Sequence, residues 1–143
     1  MAEPTPQEQE ALQERYLEMK LIEKEADKMK TSLSSAEEQL HDTQHTIAAL
    51  DDISKVKSGE EVMIPLANGI FARGIIQNTK TLLVGIGAQV VVQKDVEATK
   101  TLLEKKIKSI EQYREEVAQA LVRLDERARQ IDKEMRSIAQ KYQ

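Results

Sequence analysis

Val62-Met63-Ile64-Pro65-Leu66-Ala67-Asn68-Gly69-Ile70-Phe71-Ala72-Arg73-Gly74-Ile75-Ile76 is the stretch that decides the fold of this 143-residue chain. Its apolar residues recur with a period near two, the signature of strands. Asn68-Gly69 is the strongest two-residue hairpin signal, a type I′ turn that needs positive φ at both central positions. The stretch predicts a strand over Val62–Leu66 that returns over Ile70–Ile76. After the polar link Gln77-Asn78-Thr79-Lys80, Thr81–Ile86 goes out again, Gly87-Ala88 turns, and Gln89–Gln93 comes back. These are two hairpins in tandem. Pro65 has no N–H to give to a ladder and belongs at an edge or a bulge.

Outside this centre the punctuation disappears. All five glycines lie between Gly59 and Gly87 and the three prolines are Pro4, Pro6 and Pro65, so residues 7–58 and 88–143 contain neither breaker. A compact domain turns roughly every 10–15 residues. Arms this long without a turn residue exclude an ordinary Rossmann, sandwich or barrel enzyme and predict long helices. In the first arm, steps alternating between three and four residues land on Leu12, Arg15, Met19, Ile22, Ala26, Met29, Leu33, Ala36, Leu40, Thr43, Ile47 and Leu50. All but Arg15 and Thr43 are apolar, the spacing of a coiled-coil seam. In the second arm one seam position reads Val96, Leu103, Ile110, Val117, Leu124, Ile131 and Ile138. The other reads Lys100, Ile107, Arg114, Leu121, Ala128, Met135 and Tyr142. Charged seam residues set register or mark a helix end.

The helix ends are marked as well. Thr5-Pro6-Gln7-Glu8 reads as an N-cap, a proline at the first helical position and a capping-box glutamate. Lys55, Lys57 and Gly59 read as a C-terminal turn with a glycine stop, and Asp95 as the N-cap of the second helix. Each helix would run about 70 Å. The expected organisation is an N-terminal coiled-coil helix over 1–58, a double β-hairpin region over 59–94, and a C-terminal coiled-coil helix over 95–143. The fold class is α+β, mainly α: a long antiparallel two-helix coiled coil with two tandem β-hairpins between the helices. The antiparallel choice places Leu33 near Val117 and Leu12 near Ile138. Charge favours it, since residues 1–52 carry 13 acidic and 5 basic side chains whereas residues 95–143 carry 10 acidic and 11 basic. An acidic helix prefers a neutral-to-basic partner over a copy of itself.

Composition bounds the function. The net charge of −4 gives no general reason for nucleic-acid binding. No apolar run of ~18 residues exists, so no membrane span is expected. The opening Met1-Ala2-Glu3-Pro4 has no apolar core of a signal peptide, and the absence of cysteine fits a cytoplasmic protein. His41-Asp42-Thr43-Gln44-His45 places two histidines one turn apart but supplies no third ligand, so the pair reads as solvated and no metal site is assigned. Gly69 and Gly74 are followed by Ile75-Ile76, not the Lys-Ser/Thr of a phosphate-binding loop. Glu37-Glu38, Asp51-Asp52 and Glu115-Glu116 are adjacent pairs that point to different helix faces, and Lys105-Lys106-Ile107-Lys108 is surrounded by acidic neighbours. No catalytic residue and no cofactor are assigned.

Four short apolar strands have little of their own chain to bury against. An isolated hairpin is marginal, and an exposed apolar edge invites another chain. Val62, Ile64, Leu66, Phe71, Ile75, Leu83, Ile86, Val90 and Val92 are the candidate subunit-assembly residues. In an antiparallel hairpin of helices the end remote from the strands carries both termini. There Leu12, Met19, Met135, Ile138 and Tyr142 supply apolar seam surface that either packs as core or opens to a partner as the last turns fray.

Helix, two hairpins, helix, with arms of matched length, resembles the prefoldin alpha-class subunits of archaea and eukaryotes. Ile64-Pro65-Leu66-Ala67-Asn68-Gly69-Ile70-Phe71-Ala72-Arg73-Gly74 and Val84-Gly85-Ile86-Gly87-Ala88-Gln89-Val90-Val91-Val92-Gln93-Lys94 carry the resemblance. Ala67, Gln89 and Val90 depart from the family's usual glycines and aromatic. The resemblance implies a hexamer of two alpha-class with four beta-class prefoldin subunits, whose hairpins close into two barrels, the physical remedy for open edges. It also implies an ATP-independent holdase whose coiled-coil tips capture unfolded client proteins and deliver them to a group II chaperonin. A structural adaptor or tether that binds one folded partner is the alternative reading.

Overall fold

The structure is a computed structural model and describes residues 3–142. Met1, Ala2 and Gln143, the ends of the two arms as read from sequence, lie outside the described residues. The element order is α1 (Pro6–Lys55), β1 (Glu61–Ala67), β2 (Ile70–Ile75), β3 (Thr81–Gly87), β4 (Val90–Asp95), α2 (Val96–Ala139) and a short 3-10 turn over Gln140–Tyr142. Contacts divide the chain into two units. One is made by residues up to 38 and from 111 onward, the other by Gln39–Ile110.

In the first unit α1 opens with the capping box. The Glu8 amide donates to Thr5 Oγ1 at 3.3 Å, and the Thr5 amide donates back to Glu8 Oε2 at 3.1 Å. The two helices run antiparallel, as their cross-pairs show: Tyr142 with Glu8, Glu134 with Arg15 and Arg127 with Glu18. The seam is apolar where the heptads place it. Ala36 and Val117 are buried, and Ile131 is fully buried at 0% exposure. Leu12, Met19, Ile22, Ala26, Met29 and Leu33 on α1 are half-buried, as are Leu121, Leu124, Ala128, Met135 and Ile138 on α2. Arg15, a charged seam residue, ties the helices through Glu134 at 2.5 Å. Arg114 occupies a seam position by spacing but is exposed, and the structure gives it no register role.

In the second unit Leu40, Leu50, Val96 and Ile110 form the buried seam, joined by Thr43 and Thr99. Both threonines satisfy their hydroxyls on the preceding turn, Thr43 on the Gln39 carbonyl at 2.7 Å and Thr99 on the Asp95 carbonyl at 2.8 Å. That is why a polar seam position is tolerated there. The seam lysine Lys100 reaches Asp51 across the helix pair at 2.8 Å. Helix α1 stops at Lys55, short of Gly59. The glycine, at φ +90°, instead serves a separate turn in which the Glu60 amide donates to the Lys57 carbonyl at 3.1 Å. Asp95 is both the last residue of β4 and the N-cap of α2, its Oδ1 accepting from the Ala98 amide at 2.6 Å. The chain therefore passes from strand to helix without a linker.

Candidate functional site: the two hairpins

The hairpins form two separate two-stranded antiparallel sheets, β1–β2 and β3–β4, so every strand is an edge. They are built alike. In the first, Pro65 pairs with Phe71 and Ala67 with Ile70, leaving Leu66 as the extra residue of a bulge. In the second, Gly85 pairs with Val91 and Gly87 with Val90, leaving Ile86 in the same position. Pro65 thus sits on an edge strand and beside a bulge, where its missing donor costs nothing. The first turn is Asn68-Gly69, with φ of +49° and +78°. The second lies at Ala88-Gln89, with φ of +48° and +61°, one residue later than the expected Gly87-Ala88. Gly87, at φ +109°, closes β3 beside its bulge instead.

Residues directly opposed across a ladder share a face, so the pairing sorts the side chains. One face of the first hairpin carries Val62, Ile64, Ala72 and Gly74; the other carries Met63, Pro65, Phe71, Arg73 and Ile75. The first is the more covered: Val62, Ala72 and Gly74 are half-buried. Gly74 lets Ile64 lie flat across it, since a Cβ there would stand 2.7 Å from Ile64 Cδ1. The second hairpin splits the same way, with Leu82, Val84, Val92 and Lys94 half-buried and Leu83, Gly85, Val91 and Gln93 turned outward. On the outward faces Met63 is 71% exposed and Leu83 79%, with Phe71, Ile75 and Val91 all more than half exposed. The bulge residues Leu66 and Ile86 are exposed too. Arg73 and Glu61 pair across the ladder at 3.7 Å, both open to solvent.

The link between the hairpins is fixed by polar contacts. Asn78 Oδ1 accepts from the Lys80 amide at 2.9 Å, and its Nδ2 donates to Thr81 Oγ1 at 2.7 Å, an Asx-type turn. Ser58 Oγ donates to the Gln77 carbonyl at 2.6 Å, and the Gly59 amide donates to the Ile76 carbonyl at 3.2 Å. The segment entering β1 is thus stitched to the segment leaving β2. The result is two ordered hairpins, each presenting an apolar face and open edges. Such a surface leaves apolar area and unpaired backbone groups open to another chain.

Among the sequence-derived assembly residues, Ile64, Leu66, Phe71, Ile75, Leu83, Ile86 and Val90 are exposed, whereas Val62 and Val92 are half-buried on the covered faces. Sequence reading missed Met63, Ile70 and Val91, which are more exposed than either valine. Both faces of β1 are apolar, so hydrophobicity alone leaves its phase open. The Leu66 bulge then shifts the phase once more. The signal that would have found Met63 is its pairing with Arg73, a residue that has to face solvent. The second set of candidates, Leu12, Met19, Met135, Ile138 and Tyr142, is half-buried in the seam of the first unit. Tyr142 donates its hydroxyl to Glu8, which also accepts from Thr5 Oγ1 at 2.8 Å and from Lys141 Nζ at 3.4 Å. That hydrogen bond from Tyr142, ahead of those from Thr5, holds the Glu8 carboxyl down at about 2. His41 and His45 are exposed, and no metal-binding cluster occurs among the described residues. Among the described residues no helix is long and apolar enough to cross a membrane.

The model of the prefoldin subunit family matches residues 22–141. Among curated proteins, prefoldin subunit alpha of Archaeoglobus fulgidus is 26% identical over 130 residues, covering 91% of this chain and 95% of the relative. The Thermofilum pendens prefoldin subunit alpha is 25% identical over 130 residues, covering 91% and 98%. Among solved structures, the filamentous prefoldin of Methanocaldococcus jannaschii superposes with a TM-score of 0.59 at 15% identity, covering 88% of this chain and 98% of that one. At that identity the likeness speaks for the fold: two long helices with paired hairpins between them.

Proposed function

The chain belongs to the prefoldin family of chaperone subunits, in its alpha class, and on that premise we propose that it is an ATP-independent holdase subunit of a cytoplasmic hexamer. Two copies join four beta-class subunits through the strands. The helical arms then capture unfolded proteins and deliver them to a group II chaperonin. The observation that carries the reading is the outward apolar face of each hairpin, with Met63 71% and Leu83 79% exposed on strands that are all edges. A lone soluble chain has no use for such a surface, and closure with partner strands removes both the apolar exposure and the unpaired backbone. Client capture falls to the seam near the chain termini, where Leu12, Met19, Met135, Ile138 and Tyr142 become available as the last turns part.

Co-expression with a beta-class subunit tests the reading. Native mass spectrometry is expected to return a complex of two copies with four partners, and the purified complex to suppress aggregation of several unrelated denatured proteins without ATP. Removing residues 1–20 and 131–143 is expected to leave the complex intact and weaken capture. A chain that stays monomeric beside its partner would overturn the assembly. Failure with every unfolded client, alongside tight binding to one folded protein, would replace the holdase by an adaptor.

A further inference from the structure

The outer flank of α1 carries Glu10, Glu14, Leu17, Leu21, Lys24 and Lys28, spaced alternately by four and three residues and all exposed. This second stripe lies one or two residues before each seam position, on the solvent-exposed part of the helix, where a two-helix coil ordinarily holds only polar residues. Leu17 is 56% and Leu21 68% exposed. Three of the neighbouring charges are engaged, Arg15 with Glu134, Glu18 with Arg127 and Lys20 with Glu23, whereas Glu25, Asp27 and Lys30 make no ion pair among the described residues. Glu10, Glu14, Lys24 and Lys28 make no ion pair among the described residues. Beside the stripe, Leu21, Ile22, Lys24, Lys28 and Leu124, together with the acidic Glu18 and Glu25, border an open concavity of about 530 Å³.

We propose that a second copy of this chain docks antiparallel on this flank, about a two-fold axis passing beside Met19. The order acid, acid, leucine, leucine, lysine, lysine reads as its own complement when reversed. Glu10 then faces Lys28 of the other copy, Glu14 faces Lys24, and Leu17 faces Leu21. Isologous contacts require this self-complementarity. A parallel copy would set glutamate against glutamate and lysine against lysine, which opposes docking. A foreign amphipathic helix has no reason to match a stripe that matches itself. The contact uses α1 alone, so it stands independently of how the strands assemble.

The chain has no cysteine, so Leu17→Cys supplies a single thiol for cross-linking by a short bismaleimide in the full-length protein. With the native charges a linked dimer is expected, and Tyr113→Cys, exposed but off the stripe, is expected to link poorly. The double reversals Glu10→Lys/Glu14→Lys and Lys24→Glu/Lys28→Glu, each in the Leu17→Cys background, should cut the yield about tenfold. All four reversals together rebuild the palindrome and should restore it. Absence of the dimer with native charges overturns the proposal. So does failure of the fourfold reversal to restore it, which would point to a foreign partner. Native mass spectrometry of the same variants reports strand assembly separately, because no strand residue is altered.

Discussion

The two units treat apolar surface in opposite ways. In the unit formed by residues up to 38 and from 111 onward, the heptad seam closes on itself: Ile131 is fully buried, Ala36 and Val117 are buried, and Glu8 is joined to Tyr142. In the other unit the helical seam is closed as well, yet the hairpins hold Met63, Leu66, Ile70, Phe71, Ile75, Leu83, Ile86 and Val91 outside. The contrast separates apolar residues that are buried within the chain from apolar residues that stay exposed. A hydrophobic side chain contributes roughly 25 cal/mol per Å² only once water has been removed from it. The seam realises that gain within the chain, whereas the outward faces of the strands leave it unrealised there.

The largest expected effect lies on the exposed side. Replacing Met63 and Leu83 together by aspartate puts a charge on each outward face, and the complex with beta-class subunits should fail to form in native mass spectrometry. Helical content in circular dichroism should stay close to that of the parent, because neither residue belongs to the seam. If assembly survives both charges, the outward faces are not the joining surface and the contrast between the units collapses. On the closed side the expectation reverses. Ile131→Ala should lower the stability of the helix pair by about 2–5 kcal/mol in thermal or denaturant unfolding, the cost of a cavity at a fully buried site, and leave assembly through the strands intact.

Much of this was legible because helices and strands announce themselves by period. The seam positions from Leu12 to Leu50 are all half-buried or buried, since an alternation of three and four residues has one geometric solution. Thr5, Glu8 and Asp95 cap as their residue types dictate. The misses share a cause in single-residue phase. Both faces of β1 and of β4 carry apolar residues, so hydrophobicity does not say which of Val62 and Met63, or of Val91 and Val92, lies on the more exposed face. The second turn falls on Ala88-Gln89 because the bulge at Ile86 retains Gly87 within β3. Composition favours glycine at such a turn, but ladder register chose otherwise.

That turn supplies a smaller prediction. Ala88 and Gln89 both hold positive φ, a region that costs a residue with a Cβ about 1–2 kcal/mol, whereas the first hairpin meets the same requirement with Asn68-Gly69. Writing the first turn into the second, Ala88→Asn with Gln89→Gly, should therefore stabilise the second hairpin by about 1–2 kcal/mol, read as slower amide exchange across β3 and β4. No gain would mean that assembly, and not turn chemistry, holds the second hairpin in shape.

The smallest effect belongs to the joined ends of the helix pair and is visible only in acid. Glu8 is held at about 2 against an ordinary 4.5, first by the Tyr142 hydroxyl and then by Thr5. A carboxyl whose pKa is lowered by folding adds stability that is complete above its unfolded value and disappears as pH falls through its folded one. The contribution of Glu8 should therefore be present at neutral pH and be lost between about pH 4.5 and about 2. Tyr142→Phe removes the leading cause while retaining the ring, so its melting temperature should fall slightly below the parent's at pH 7 and meet it near pH 2. Glu18 and Glu134 are lowered by Arg127 and Arg15 and lose their contributions in the same direction, but they are untouched by this substitution and cancel in the difference between parent and variant. A difference that persists unchanged at pH 2 would assign Tyr142 a packing role alone, and the ends of this unit would then be closed by the seam without help from Glu8.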